Sequence, residues 1–390
     1  MKGRSVYILI LSVGVASASC RKPYAPEITS NSTSLLVVEG VINPGNDSTF
    51  ITLSHTVKIS DTVKTAAERG ATVAVESSST TRPLTEISPG VYSALPLNLD
   101  TTQQYHLRIK LTNGKEYVSD YEKPKLTPPI DTVTYTIKDT SLQINASAHD
   151  PSNRTHYYRW DYSEAWRFNS KFYSSFKVVN GTIYPRLPAE DIFSCFSSAK
   201  SSSIVLGSSV KLAQDVISKA LITTIISSSE KISIRYSILI KQYALTKEAF
   251  AFYENLKKNT EQLGSIFDAL PSEIGGNIHN TTNPAEPVIG YVGVSTVQTK
   301  RIFIDKEELP ATWIIQYPFN CTQDTALFNN PKTKLNEVKA FILTNLTLPT
   351  LTLRAKAPDT TLLGYYRTDF ICGDCTLRGT KKRPTFWKDK

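Results

Sequence analysis

The chain has 390 residues, 40% of them hydrophobic and 20% charged, with a formal net charge of +9. That length exceeds one ordinary domain and points to two or three, each able to bury a sizeable core. The basic balance does not make a nucleic-acid binder: Lys and Arg are scattered except at Lys381-Lys382-Arg383, and no nucleic-acid module is present, so a solvated basic surface meeting anionic lipid or glycan is the milder account.

The first residues read as an address. Lys2 and Arg4 precede an apolar run from Val6 to Val15, then Ala16-Ser17-Ala18-Ser19-Cys20. A run of about ten apolar residues is too short to span a bilayer and reads as a secretory signal. Small residues ending on a cysteine give residues 1–19 as signal peptide, with Cys20 as the lipidated first residue of the mature chain. Ala16-Ser17-Ala18 is also an Ala-x-Ala site for ordinary cleavage, and Ser17 stands where the commonest lipobox has Leu. Residues 20–34, with Pro23 and Pro26, form an extended polar tether.

Residues 35–124 then alternate apolar and polar positions in short runs broken by turn residues. Examples are Leu35 to Val41, Thr49 to Ile59, Ala71 to Val75, Val91 to Ala94 after Pro89-Gly90, and Tyr105 to Leu111. Asn113-Gly114 between two alternating runs is a hairpin signal. About seven such strands predict a β-sandwich of immunoglobulin-like type. Pro124 to Ile130 is the domain boundary, because proline stiffens a linker and cannot continue a ladder.

Residues 125–390 predict a larger β-rich domain with a helical insertion near 247–263. Tyr158, Trp160 and Tyr162 share one face of a strand. They are either an aromatic binding platform or, by the weight of aromatic burial, core packing. Residues 193–229 are hard to read. Ile232 to Ile240 alternate cleanly as a strand. Thr246 caps the helix, Glu248 sits in its first turn, and Ala249, Phe252, Tyr253, Leu256 and Leu263 form its apolar stripe up to Gly264. A Gly/Asn/Pro-rich loop carrying Asn277, His279 and Asn280 runs to Pro287, and a loop of that length is a candidate ligand or partner loop. Val288 to Val294 and Lys300 to Ile304 read as a hairpin.

With Cys20 acylated, four of the five cysteines remain. In an exported chain they suggest two disulfides, and the favoured pairing is Cys372 with Cys375 and Cys195 with Cys321. Metal and redox readings of Cys372-Gly373-Asp374-Cys375 lack a second ligand pair and a thioredoxin-like context.

Several motifs occur together in order: Val37-Val38-Glu39-Gly40, Thr127-Pro128-Pro129-Ile130-Asp131, Tyr157-Tyr158-Arg159-Trp160, Gln242-Tyr243-Ala244-Leu245-Thr246, Gly264-Ser265-Ile266-Phe267-Asp268, Gly275-Gly276-Asn277-Ile278-His279-Asn280, Pro287-Val288-Ile289-Gly290-Tyr291 and Cys372-Gly373-Asp374-Cys375. Over nearly the whole chain they resemble a family of exported lipoproteins of unknown function from Bacteroidota-type diderm bacteria. The resemblance implies an outer-membrane, cell-surface lipoprotein that works beside a TonB-dependent receptor. It brings no catalytic residues.

Catalytic motifs are missing from the sequence: no His-Glu-x-x-His, Gly-x-Ser-x-Gly, phosphate loop or dinucleotide fingerprint, and hence no cofactor expectation. The five histidines show no metal-ligand spacing. Asp268 and Glu273 lie near His279 in sequence. The expectation is a non-enzymatic accessory that captures or gates substrate for the transporter. Its rivals are an adhesin or envelope structural module, and a hydrolase whose site assembles only in space.

Overall fold

A computed structural model describes residues 34–57, 66–261 and 275–388. The signal, Cys20, the tether before Ser34, the helix end at Leu263 and Gly264, and the acidic pair Asp268 and Glu273 lie outside these residues.

The chain is mainly β. Eight strands open it: β1 (Leu36–Ile42), β2 (Thr49–His55), β3 (Ala66–Ala67), β4 (Thr72–Glu76), β5 (Thr81–Ser88), β6 (Val91–Ala94), β7 (His106–Lys110) and β8 (Glu116–Ser119). Alternation puts Leu36, Val38, Ile51 and Leu53 on one inner face and Val73, Val75, Leu107 and Ile109 on the other, and these side chains form a single core. The two faces are joined through β5, whose first half pairs with β4 (Val73↔Leu84) and whose second half pairs with β6 (Thr85↔Ser93). A strand that changes sheets turns a corner of the sandwich. The Asn113-Gly114 hairpin forms as the sequence predicts, with Gly114 at φ +85°.

A second sandwich follows, with one more region beyond it. Its strands are β9 (Ile130–Lys138), β10 (Ser141–His149), β11 (Tyr157–Asn169), β12 (Phe176–Val179), β13 (Thr182–Pro185), β14 (Ser194–Lys200), β15 (Val205–Ser208), β16 (Val216–Ile226) and β17 (Arg235–Ala244). One sheet is β16-β10-β9; the other is β14-β11-β17 extended by a later strand, with β15 also on β11. Leu142, Ile144, Ile217 and Ile225 of the first sheet pack on Tyr158, Trp160, Tyr236, Ile238 and Ile240 of the second. Each aliphatic side chain so buried contributes roughly 1.5–3 kcal/mol. The segment 193–229 thus supplies three strands.

Helix α1 (Lys247–Glu261) starts where the sequence predicts: the Thr246 hydroxyl accepts the Ala249 N–H at 3.1 Å. Ala249 and Phe252 are buried against Tyr243, Leu245 and Tyr291, so the stripe is core packing.

The chain then returns to the first sandwich. Strand β18 (Ile278–Asn280) pairs with β8, and β19 (Gly293–Val294) pairs in parallel with β1 through Val41↔Gly293. The expected hairpin from Val288 therefore does not form. Ile278, Val288, Val292 and Val294 are buried in the first core instead, while β20 (Val297–Asp305) completes the second sandwich on β17. Residues 278–294, read from sequence as part of the second unit, are structural members of the first. Two backbone contacts make the return possible: a Cβ on Gly276 would lie 1.6 Å from the Gly290 carbonyl oxygen, and one on Gly290 would lie 2.2 Å from that of Val38.

Strands β21 (Asp324–Leu327), β22 (Leu348–Arg354) and β23 (Leu362–Thr368) form a small sheet, followed by the single-turn α2 (Phe370–Gly373). Two disulfides tie this region down, Cys195–Cys375 and Cys321–Cys372. All four expected cysteines are used, but not in the expected pairs. Asp374 is extended (φ −122°, ψ 102°) and ends α2, so Cys372 and Cys375 do not share a helical turn. Cys375 instead reaches Cys195 beside Phe168 in a small buried cluster.

Candidate functional site

The two sandwiches meet along a seam where titratable groups converge, the kind of place where ligand sites are found. Two chain segments cross it side by side. The Lys125 N–H donates to Val294 O at 2.9 Å, and the Thr296 N–H donates back to Lys125 O at 3.0 Å. Buried Thr127 knits both to β17: its N–H donates to Thr296 Oγ1 at 2.8 Å, and its hydroxyl accepts the Ala244 N–H at 3.0 Å. The proline linker is thus a fixed joint.

Inside the seam, the Tyr291 hydroxyl donates to Glu122 and lies 3.2 Å from the Thr246 hydroxyl. Burial pushes the Glu122 carboxyl above its ordinary range; the Tyr291 hydrogen bond opposes this and nearby Glu248 reinforces it. Burial also raises the Tyr291 hydroxyl, and the bond to Glu122 adds to the effect. The enclosed void beside these groups is about 10 Å³, room for no more than a water.

Ligand capacity lies just outside, in a groove of about 450 Å³ lined by Asp47, Phe50, Arg159, Lys241, Tyr243 and Thr299 among others. Arg159 lies between the rings of Tyr243 and Tyr253, 4.6 and 4.4 Å from their centroids, and its Nη2 donates to Asp161 at 3.2 Å. Burial works against the Arg159 charge, but Tyr253, Asp161 and Tyr243 outweigh it and hold the guanidinium protonated. Phe50, 51% exposed, adds apolar surface to the same groove. The groove can hold a small or extended ligand by charge and apolar contact; its residues form no nucleophile–base pair.

The residues singled out from sequence lie elsewhere. Tyr158 and Trp160 are fully buried core, stacked at 5.7 Å, with Trp160 Nε1 donating to Gln242 at 2.8 Å and the Tyr158 hydroxyl donating to buried Asp215. Tyr162 is half-buried and donates to Thr223 at 3.1 Å. They are the interior of the sandwich and form no platform. Asn277 is buried, its side chain bonded to both the N–H and the C=O of Val292 at 2.9 and 3.0 Å. Asn280 is buried too and organises the turn at Thr282 and Asn283, its amide donating to Glu286 at 2.9 Å. His279 alone of the three is exposed, 3.2 Å from Asp120 and beside a groove of about 550 Å³ near Leu35 and Pro287. These three do not converge. Among the described residues no group of three or more His, Cys, Asp or Glu side chains could hold a metal. What the sequence reading passed over is Arg159, one residue from Tyr158 and on the opposite face of β11; an arginine between two aromatics in a strand repeat is the signal that could have found it.

A family model described as a domain of unknown function, DUF4249, matches residues 21–301. The chain belongs to this family. The match spans both edges of the seam and most of both sandwiches, and ends within β20, before the disulfide-tied region. No curated protein matches this DUF4249 chain. Among solved structures it is similar to a candidate carbohydrate binding protein from Bacteroides uniformis, at 10% identity over 55% of this chain and 91% of that one, with a TM-score of 0.16. It is also similar to a chitinase from Bacillus thuringiensis, at 11% identity over 51% of this chain and 30% of that one, with a TM-score of 0.15. Likenesses this remote carry no argument about function.

Proposed function

We propose that this DUF4249 protein is a lipid-anchored, non-enzymatic accessory of the outer membrane, facing the cell surface, that captures or gates substrate for a TonB-dependent transporter. The observation that carries the reading is the order of its N-terminal residues: Lys2 and Arg4, a short apolar run, small residues, Cys20, then a Pro-containing polar tether. Acyl chains on Cys20 bind a bilayer by about 0.8 kcal/mol per buried CH₂, and more than one chain makes the anchor durable. The transporter partnership is read from the resemblance of the chain's ordered motifs to exported lipoproteins that tend to be encoded beside such receptors. The seam groove, with Arg159, Lys241 and Phe50, is the capture surface in this reading. The test is extraction of the native protein in mild detergent, with intact mass measurement. A lipidated Cys20 terminus and a co-purifying β-barrel are expected, both lost in Cys20→Ser. A mature chain starting at Ser19 without lipid mass, or a lipidated protein that brings no barrel, overturns the reading.

A further inference from the structure

The basic charge of the chain is concentrated near its end. Residues 320–390 carry twelve Lys and Arg against six Asp and Glu, a net +6 of the total +9, and they lie beyond the family match at 21–301. They include the small sheet β21-β23-β22, where Leu327 of β21 and Leu353 of β22 both stand opposite Gly364 of β23. Phe328, the loop that follows it and the turn joining β22 to β23 therefore share one end of this sheet. Exposed apolar side chains gather there: Phe328 is 40% exposed, Leu363 41% and Leu335 57%, and the Phe328 N–H donates to Leu363 O at 3.0 Å. Lys332 and Lys334 on the loop and Lys356 on the turn are exposed as well. Among the described residues none of these three lysines is in an ion pair, whereas Lys115, Lys177, Lys231 and Lys381 each hold a carboxylate.

Local structure holds these groups at the tip. Asn330 Oδ1 accepts the Lys332 N–H at 2.8 Å, its main-chain carbonyl accepts the Lys334 N–H at 2.8 Å, and its own N–H donates to Leu335 O at 3.1 Å. The one carboxylate of the loop, Glu337, is half-buried and already engaged: it accepts the Asn330 amide at 2.6 Å and the Leu327 N–H at 3.1 Å. The turn also has one acid, Asp359, which accepts the Thr361 N–H at 2.9 Å. Cations thus outnumber acids, and bare apolar side chains stand among them. That mixture suits the boundary of a bilayer, where apolar groups enter the headgroup layer and ammonium groups meet lipid phosphates. We propose that this end of the sheet docks on a bilayer bearing anionic phospholipid, with Leu335 and Phe328 entering the headgroup layer and Lys332, Lys334 and Lys356 on the phosphates. An acidic protein would meet the lysines alone; a fluid anionic surface takes the lysines and the apolar side chains together. Two disulfides tie the sheet down, so the rest of the chain is held with it. This contact goes beyond the proposed function and does not depend on an acylated Cys20.

The test is flotation of the chain from position 20 onward, carrying Cys20→Ser and hence no acyl group, with vesicles of phosphatidylglycerol and phosphatidylcholine in equal parts. Binding is expected, about tenfold or more tighter than to phosphatidylcholine alone, and weaker as salt screens the phosphates. Lys332→Gln with Lys334→Gln should weaken it about tenfold. Leu335→Asn should weaken it several-fold, a loss that persists at high salt because it is apolar. Lys110→Gln with Lys258→Gln, exposed positions on β7 and α1, removes the same charge elsewhere and should leave binding unchanged. Equal affinity for the two kinds of vesicle, unchanged binding in the loop variants, an equal loss in the Lys110 and Lys258 pair, or retention on heparin with no vesicle binding overturns the inference. The protein tested carries no lipid, so its failure leaves Cys20 acylation and the barrel partnership standing, and their failure leaves this surface standing.

Discussion

The two sandwiches differ in what they bury. The first packs Val, Leu, Ile and Tyr, and its buried polar side chains among the described residues are His106 and uncharged groups, Asn43, Thr49, Ser119, Asn277 and Asn280. The second buries three carboxylates, Glu164, Asp215 and Asp305. Each is met: Glu164 by the Tyr236 hydroxyl at 2.6 Å and Lys231 at 2.5 Å, Asp305 by Arg235 at 2.9 Å, and Asp215 by the Tyr158 and Ser209 hydroxyls. Buried charges of this kind add little net stability, because desolvation offsets the attraction, but removing one partner is costly. The lesson is that the first unit is held by apolar area and the second also by matched polar partners.

The contrast extends to self-sufficiency, and that is where the largest effect is expected. A fragment of residues 34–123 lacks Ile278, Val288, Val292 and Val294, all at 4% exposure or less in the intact chain. At roughly 1.5–3 kcal/mol each, their loss is comparable to the whole stability of a typical domain, about 5–15 kcal/mol. The fragment should show no cooperative thermal transition by circular dichroism. A sharp transition would mean that the first sandwich stands alone and the comparison fails.

Asp215→Ala comes next. It strands the buried hydroxyls of Tyr158 and Ser209 at about 1–3 kcal/mol apiece. Thr49→Val in the first sandwich removes only the acceptor of the Asn43 N–H, a 2.9 Å bond, and should cost about 1–2 kcal/mol. Urea unfolding of the two variants ranks them; equal losses would erase the distinction between the units.

The smallest effect sits in the seam between them. Burial raises the Glu122 carboxyl above its reference value of 4.5. For such a group the folded state holds the proton more tightly than the unfolded state, so its contribution is favourable at low pH and is lost as pH rises through the folded value. Glu122→Gln should therefore raise the melting temperature at pH 7–8, and the gain should shrink as pH falls toward 4.5. A gain that is constant with pH would show that ionisation of Glu122 is not its source.

Much of the architecture was legible because period-two alternation reports which face of a strand is buried. The run from Ile232 to Ile240 is the clearest case, although Ile232 ends a 3-10 turn and the strand itself is Arg235–Ala244; the Thr246 cap is read from its hydroxyl and spacing. Strand β5 was passed over because Pro83 lies in it and only Leu84 is buried, so its alternation is faint. The return of residues 278–294 was hidden for a different reason. Strands of three and two residues carry too little pattern, and their partners lie far off in sequence. Cysteine pairing was unreadable because a single extended residue, Asp374, decides which way two thiols face. Of the seam, the motif Tyr157-Tyr158-Arg159-Trp160 was noticed for its aromatics, while its charged member lines the groove.

Parallel pairing of Val41 with Gly293 joins residues about 250 positions apart, and this sets an order of assembly. Strands β9 and β10 form a local hairpin, whereas β10 pairs with β16 and β11 with β17 across 67 to 86 positions. The leading sandwich, though synthesised earlier, stays open along two edges until the chain has been delivered as far as Val294. Both sandwiches therefore wait for distant segments, the first for Val294 and the second for β20 just after it, and any process that holds back the second half of the chain leaves the front half exposed.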